Sequence, residues 1–108
     1  LKELNPAIKV VEAHPEKGHY IQGLKNMEEA ICPDIYDPSK IDISIMIDSG
    51  KALQMARRIV REEGIFCGMS SGAAMIASLE VAKMIERGVI VCIFPDRGEK
   101  YLSTPLFA

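Results

Sequence analysis

Apolar positions along the chain change period several times, and each change marks an element. Residues 7–13 (AIKVVEA) form a short β-branched run that predicts a strand. A second strand is predicted over 43–47 (ISIMI), ended by Asp48, Ser49 and Gly50. Leu53, Ala56, Ile59 and Val60 then recur at three- and four-residue spacing, the single apolar stripe of a helix running to about Glu63. Asp48 or Ser49 can accept from that helix's free N–H groups, and Gly64 stands where a left-handed C-terminal residue belongs. From Met69 a further helix is predicted to about Arg87. Its apolar residues (Ala73, Ala74, Ile76, Ala77, Val81 and Ile85 among them) nearly encircle it, so burial on more than one side is expected. After Gly88, residues 89–94 (VIVCIF) are continuously apolar and largely β-branched, as in a strand covered on both faces. Pro95 stops that strand, and Asp96 three residues before Glu99 resembles a capping box opening a short last helix or turn.

Strands alternating with helices predict an α/β fold: a layered, mainly parallel sheet with helices on both faces. At 108 residues the length is that of one domain. Residues 14–36 hold glycine and proline breaks and no sustained period. Pro33, Asp34, Asp37, Pro38 and Ser39 mark an irregular surface excursion. The opening Leu1-Lys2-Glu3-Leu4-Asn5-Pro6 reads as the last turn of a helix without an initiator methionine, so a piece of something longer is expected.

Composition narrows the function classes. An apolar fraction of 48% supplies a core, and a net charge of −2 gives no broad basic field for nucleic acid or anionic membranes. Arg57, Arg58 and Arg61 are followed by Glu62 and Glu63, the pattern of a solvated helix face. Cys32, Cys67 and Cys92 form no CxxC pair, and with only His14 and His19 they make no metal site. Inert buried thiols in a reducing, cytoplasmic setting are expected. The apolar run ending at Pro95 is too short to span a bilayer.

In open α/β sheets ligands gather where strands turn into helices. Two such places stand out here: Gly68-Met69-Ser70-Ser71-Gly72, at a helix N-terminus whose free N–H groups favour an anion or an electron-rich atom, and Pro95-Asp96-Arg97-Gly98-Glu99. Taken singly, each reads as a cap. The first also satisfies the Gly-x-Ser-x-Gly spacing of a hydrolase elbow, but no acid and histidine follow it, since both histidines come earlier.

Three segments taken together carry more. Ile21-Gln22-Gly23, residues 63–74 (EGIFCGMSSGAA) and residues 94–104 (FPDRGEKYLST), in this order, resemble the C-terminal portion of the cysteine synthase and cystathionine β-synthase family, pyridoxal-phosphate enzymes of fold type II. The wording Gly-Ile-Phe-Cys-Gly and Asp-Arg-Gly is most similar to the cysteine synthase B type, and the resemblance runs over nearly the whole chain. It implies cysteine biosynthesis by β-replacement, from O-acetylserine or O-phosphoserine and sulfide, with pyridoxal 5'-phosphate as cofactor and a homodimer as the full-length state. It also implies that Ser70 offers its hydroxyl to the cofactor's pyridine nitrogen, that Gln22 and Gly23 line the substrate pocket, and that Ser71 and Gly72 shape the turn beside it. No residue in the chain is expected to be catalytic. The Schiff-base lysine and the glycine-rich phosphate loop belong upstream, and neither Lys51 nor Lys100 stands in a matching context, so the chain alone is expected to be inactive and to hold the cofactor weakly or not at all. Arg97, cationic and donor-only, is expected to point towards a carboxylate. Two alternatives remain: a cystathionine β-synthase type of β-replacement, and a non-catalytic binding or oligomerisation module of the same fold.

Overall fold

A computed structural model describes residues 1–107. In chain order it contains strand β1 (Val11–Pro15), strand β2 (Ile43–Ile47), helix α1 (Ser49–Glu63) and helix α2 (Met69–Met84), with 3-10 turns at Pro38–Lys40 and Gly98–Tyr101. β1 and β2 pair in parallel, Val11 opposite Ile43 and Pro15 opposite Ile47. β1 therefore starts four residues later than its apolar run does. Its partner begins only at Ile43, and ahead of it the Asp42 carboxylate takes the Val10 N–H (2.7 Å) and the Lys2 ammonium (2.6 Å).

α1 begins and ends as its sequence signals require. Asp48 accepts the Lys51 N–H at its N-terminus, and Gly64 closes it in the left-handed region at φ 69°. α2 stops at Met84 rather than near Arg87, because Ile85 is already extended. The two helices meet through small residues. A Cβ on Gly72 would lie 2.2 Å from the Ala52 carbonyl oxygen, so the approach of α2 to α1 requires a glycine there. Ile21, Ile47, Ala52, Ala73 and Ala77 form the main core, and Ala56, Tyr101 and Leu106 a second one. Arg57 is no solvated residue of a helix face: it donates to the carbonyls of Leu106 (2.6 Å) and Pro105 (2.5 Å) and ties the C-terminal segment to α1.

α2 packs on the sheet and α1 packs on α2, so both helices share one core. The other sheet face carries Glu12, His14 and Ser44 and is crossed by the 26–40 excursion, whose Tyr36 hydroxyl donates to Glu12. Both ring nitrogens of His14 are buried there without a hydrogen-bond partner among the described residues, and Glu12 Oε1 lies 3.9 Å from Nε2.

The largest departure from expectation is at 89–94. The segment joins no ladder among the described residues. Val89, Val91 and Ile93 are 92%, 84% and 75% exposed, while Cys92 and Phe94 are half-buried. Only one face is covered, so the expected strand with two covered faces is absent here. Between this segment and residues 7–13, over α2, runs an apolar groove of about 630 Å³. No helix is long and apolar enough to cross a membrane.

Candidate functional site

The first turn of α2 is held from a distance. Asp96 does not cap its own local turn: the 3-10 turn at Gly98–Tyr101 has Arg97 at its N-cap and no side-chain cap. The Asp96 carboxylate instead accepts the N–H groups of Gly68 (3.3 Å), Ser70 (3.3 Å) and Ser71 (3.1 Å), together with the hydroxyls of Ser71 and Tyr101, the latter at 2.7 Å. These are orphan donors of a helix N-terminus, and the carboxylate also meets the positive end of the helix dipole. α2 has no cap of its own, since Gly68 occupies the N-cap. Burial pushes the Asp96 pKa upward, but its hydrogen bonds with Ser71, Tyr101 and Ser70 outweigh it and hold the carboxyl below the usual aspartate range. The Tyr101 phenol moves the other way. Burial first, then its bond to Asp96, push it well above the ordinary tyrosine value, so it stays a donor.

Space is as tight as the bonding. A Cβ on Gly68 would fall 2.2 Å from the Tyr101 ring and 2.3 Å from Asp96 Oδ2, and one on Gly98 would fall 2.4 Å from the Phe66 ring. Gly98 N–H donates to the Phe66 carbonyl, which locks the 95–101 segment to the strand-like stretch before α2. Cys67 is buried in this junction, its thiol pushed up by burial and by the nearby Asp96 charge. The expected burial holds for Cys67 alone: Cys32 is exposed and Cys92 half-buried.

Ser70 faces the bend at 21–23. The bend is closed by the Leu24 N–H donating to the Ile21 carbonyl, with Ile21 fully buried as its anchor. Gly23 sits in the left-handed region at φ 88°, and a Cβ there would lie 3.4 Å from Ser70 Oγ. Two motif residues far apart in sequence are thus neighbours. Ser70 itself is 2% exposed, and it lines neither the groove over α2 nor the one beside Arg57 and Phe107. Ser71 is fully buried with its hydroxyl committed to Asp96, and Gly72 is turned towards α1. Gln22 is exposed beside the bend. Arg97 is exposed and makes no ion pair among the described residues, contrary to the expected carboxylate partner, because the one carboxylate beside it in sequence, Asp96, is turned inward to α2.

The arrangement places a small hydroxyl beside a Cβ-free backbone, with Ser70 sealed under the bend. It offers no place for a phosphate, since Asp96 already occupies the N-terminus of α2. The signal missed by the sequence reading was Asp96: its pairing with Glu99 was visible, whereas its bonds to a helix twenty-odd residues earlier were not.

No family model matches the chain. It is 41% identical to cysteine synthase B of Pseudomonas aeruginosa over 107 residues, covering 99% of this chain and 36% of that protein. A crystal structure of cysteine synthase from Entamoeba histolytica superposes with a TM-score of 0.91 at 40% identity, over 99% of this chain and 34% of that one. The chain matches a C-terminal portion of the cysteine synthase and cystathionine β-synthase family. Another member, the O-acetylserine dependent cystathionine beta-synthase of Helicobacter pylori, superposes with a TM-score of 0.87 at 29% identity over the whole chain and 38% of that protein. The chain shares its α/β fold with a parallel sheet with these solved structures. It spans about a third of the length of the curated relatives it matches.

Proposed function

We propose that these residues are the ring-facing and substrate-bend part of a pyridoxal-phosphate-dependent cysteine synthase, and that the whole protein makes cysteine from O-acetylserine or O-phosphoserine and sulfide. The observation that carries this reading is the apposition of Ser70 Oγ and Gly23, two motif residues that meet only in the fold. Pyridoxal phosphate, when bound, supplies the electron sink for β-replacement. Ser70 would hold the pyridine nitrogen by a hydroxyl. Unlike a carboxylate, a hydroxyl does not keep that nitrogen protonated, so the ring withdraws electrons less strongly and elimination at Cβ is favoured. Gly23, lacking a Cβ, lets the amino-acid substrate approach its backbone, with Gln22 beside it. Ser71 and Gly72 shape the turn, one through Asp96 and the other through α1.

The Schiff-base lysine and the phosphate loop would come from the remaining two thirds of the family fold, which would also cover the exposed 89–93 run and the groove beside it. The chain alone is then inactive, the intact protein is a cytoplasmic homodimer, and its partners are small amino-acid substrates and a sulfur donor. The likeness to the Helicobacter pylori protein favours one second reading, β-replacement in which the homocysteine thiol takes the place of sulfide.

The test joins residues 1–108 to the upstream two thirds of the Pseudomonas aeruginosa cysteine synthase B and assays cysteine formation from each activated serine with sulfide. The expected result is activity that falls by about a hundredfold in Ser70→Ala, the scale of removing one preorganised hydrogen-bonding group. A folded, cofactor-loaded chimera that forms no cysteine, or whose Ser70→Ala variant is unchanged in rate and absorbance, would overturn the proposal.

A further inference from the structure

The bend that faces Ser70 is tethered at its other end by a histidine that the sequence reading set aside. His19 Nδ1 accepts the backbone N–H of Ser49, the first residue of α1, at 3.2 Å, and the Ser49 hydroxyl lies 3.2 Å from the same nitrogen. A backbone N–H can only donate, so Nδ1 carries no proton and the ring's one proton sits on Nε2. That nitrogen faces the Glu16 carboxylate at 3.6 Å, which suits a donor. Asp48, the side-chain cap of α1, lies 3.6 Å from Nδ1 on the other side. Glu16, His19 and Asp48 place one potential metal-ligand atom each within 4.8 Å, but the lone pair at Nδ1 is already taken by Ser49 and Nε2 bears the proton, so the cluster is a clamp and not a cation site. Two residues beyond His19 the chain enters the core at Ile21, and two further on it reaches Gly23 opposite Ser70.

We infer that His19 is a positioning residue: through Nδ1 it supplies a second cap to α1, and by doing so it fixes residues 18–23 in register with the Ser70 turn. This rests on the reading of that bend as the substrate pocket, although the clamp itself stands on geometry alone. Three orphan N–H groups at the start of α1 compete for acceptors, and Asp48 serves only Lys51. His19 therefore satisfies a donor that no other residue among those described does, and the imidazole, held at Nδ1, sets the direction in which the chain leaves for Gly23.

Asparagine and glutamine separate this role from mere bulk. An asparagine carries its carbonyl oxygen close to the place of histidine Nδ1, whereas a glutamine places its amide near Nε2. In the labelled chain at pH 8, imidazole nitrogen NMR is expected to show the Nε2–H tautomer with an unprotonated, hydrogen-bonded Nδ1. Amide exchange at Ser49 and Leu24 is expected to quicken by about tenfold or more in His19→Gln and His19→Leu, and to stay within about threefold of the parent in His19→Asn, with α2 unchanged in all three. An Nδ1–H tautomer in the parent protein, or a glutamine variant that behaves like the asparagine one, would overturn the inference. Loss of cysteine-forming activity in the chimera with these signatures intact would count against the proposed function and leave the clamp standing.

Discussion

Two regions of this chain carry equally strong sequence signals and meet opposite fates. At the start of α2, the backbone N–H groups and the Ser71 hydroxyl find a partner inside the chain: Asp96 gathers three backbone N–H groups and two hydroxyls, and Tyr101, Phe66 and α1 fill the space that glycines leave. At 89–94, the most apolar run in the chain, Val89, Val91 and Ile93 stand in solvent and the backbone pairs with nothing described. The first region is complete as it stands. The second stands uncovered on one face. A site built from polar bonds can close within a short stretch of structure, while a central strand needs neighbours on both edges and both faces. An unpaired apolar edge of this kind is a template for association.

The strongest way to break the contrast is to spoil the tight side. Gly72→Val places a side chain on the Ala52 carbonyl and the Ala56 backbone nitrogen. It is expected to destabilise by about 3 kcal/mol or more, read as the urea midpoint, because backbone atoms cannot step aside. Asp96→Asn keeps the shape but offers an N–H₂ group to donors, and a loss of about 1–3 kcal/mol is expected in the same measurement. It should also change the pH profile. The Asp96 carboxyl is held below its unfolded value, so its contribution is fully present above the unfolded pKa of about 4 and is lost as pH falls below that. Denaturation followed from pH 6 to pH 2 should therefore show a shallower acid loss in Asp96→Asn than in the parent.

A smaller effect is expected at the bend. Gly23→Ala forces a Cβ into the left-handed region beside Ser70 Oγ, at a cost of about 1 kcal/mol, and should move the Ser70 resonances while leaving α1 unshifted. The smallest thermodynamic effect lies on the open side. Val91 is 84% exposed, so Val91→Lys should change stability by no more than about 0.5 kcal/mol. It should nonetheless reduce self-association in light scattering. A large loss of stability in that variant would mean that the run is packed after all.

Much of the fold was legible because its signals are local. β2 occupies residues 43–47 as read, and α1 is bounded by the aspartate and glycine that its pattern named. β1 was misplaced because a ladder begins where both strands are present, and the partner's start is a fact about another segment. α2 was given an extra turn because Ile85 and Arg87 continue its composition, although Ile85 is already extended. Asp96 was read as a local cap because Glu99 is three residues away. Its true partners lie on a helix that only tertiary structure brings near. The run at 89–94 was read from its pattern as a strand with two covered faces. The pattern records an environment that the described residues do not provide. Gly23 and Ser70 were each flagged by motif, and their meeting is what folding adds.

The turn at Ser70 is finished within the chain, before any cofactor or further polypeptide is present. Hydrogen exchange on the isolated chain addresses it residue by residue. The amides of Ser70 and Ser71 should exchange only on global unfolding, while those of Val89, Val91 and Ile93 exchange near the rate of an unstructured peptide. Ser70 and Ser71 amides as fast as those of the open run would contradict it.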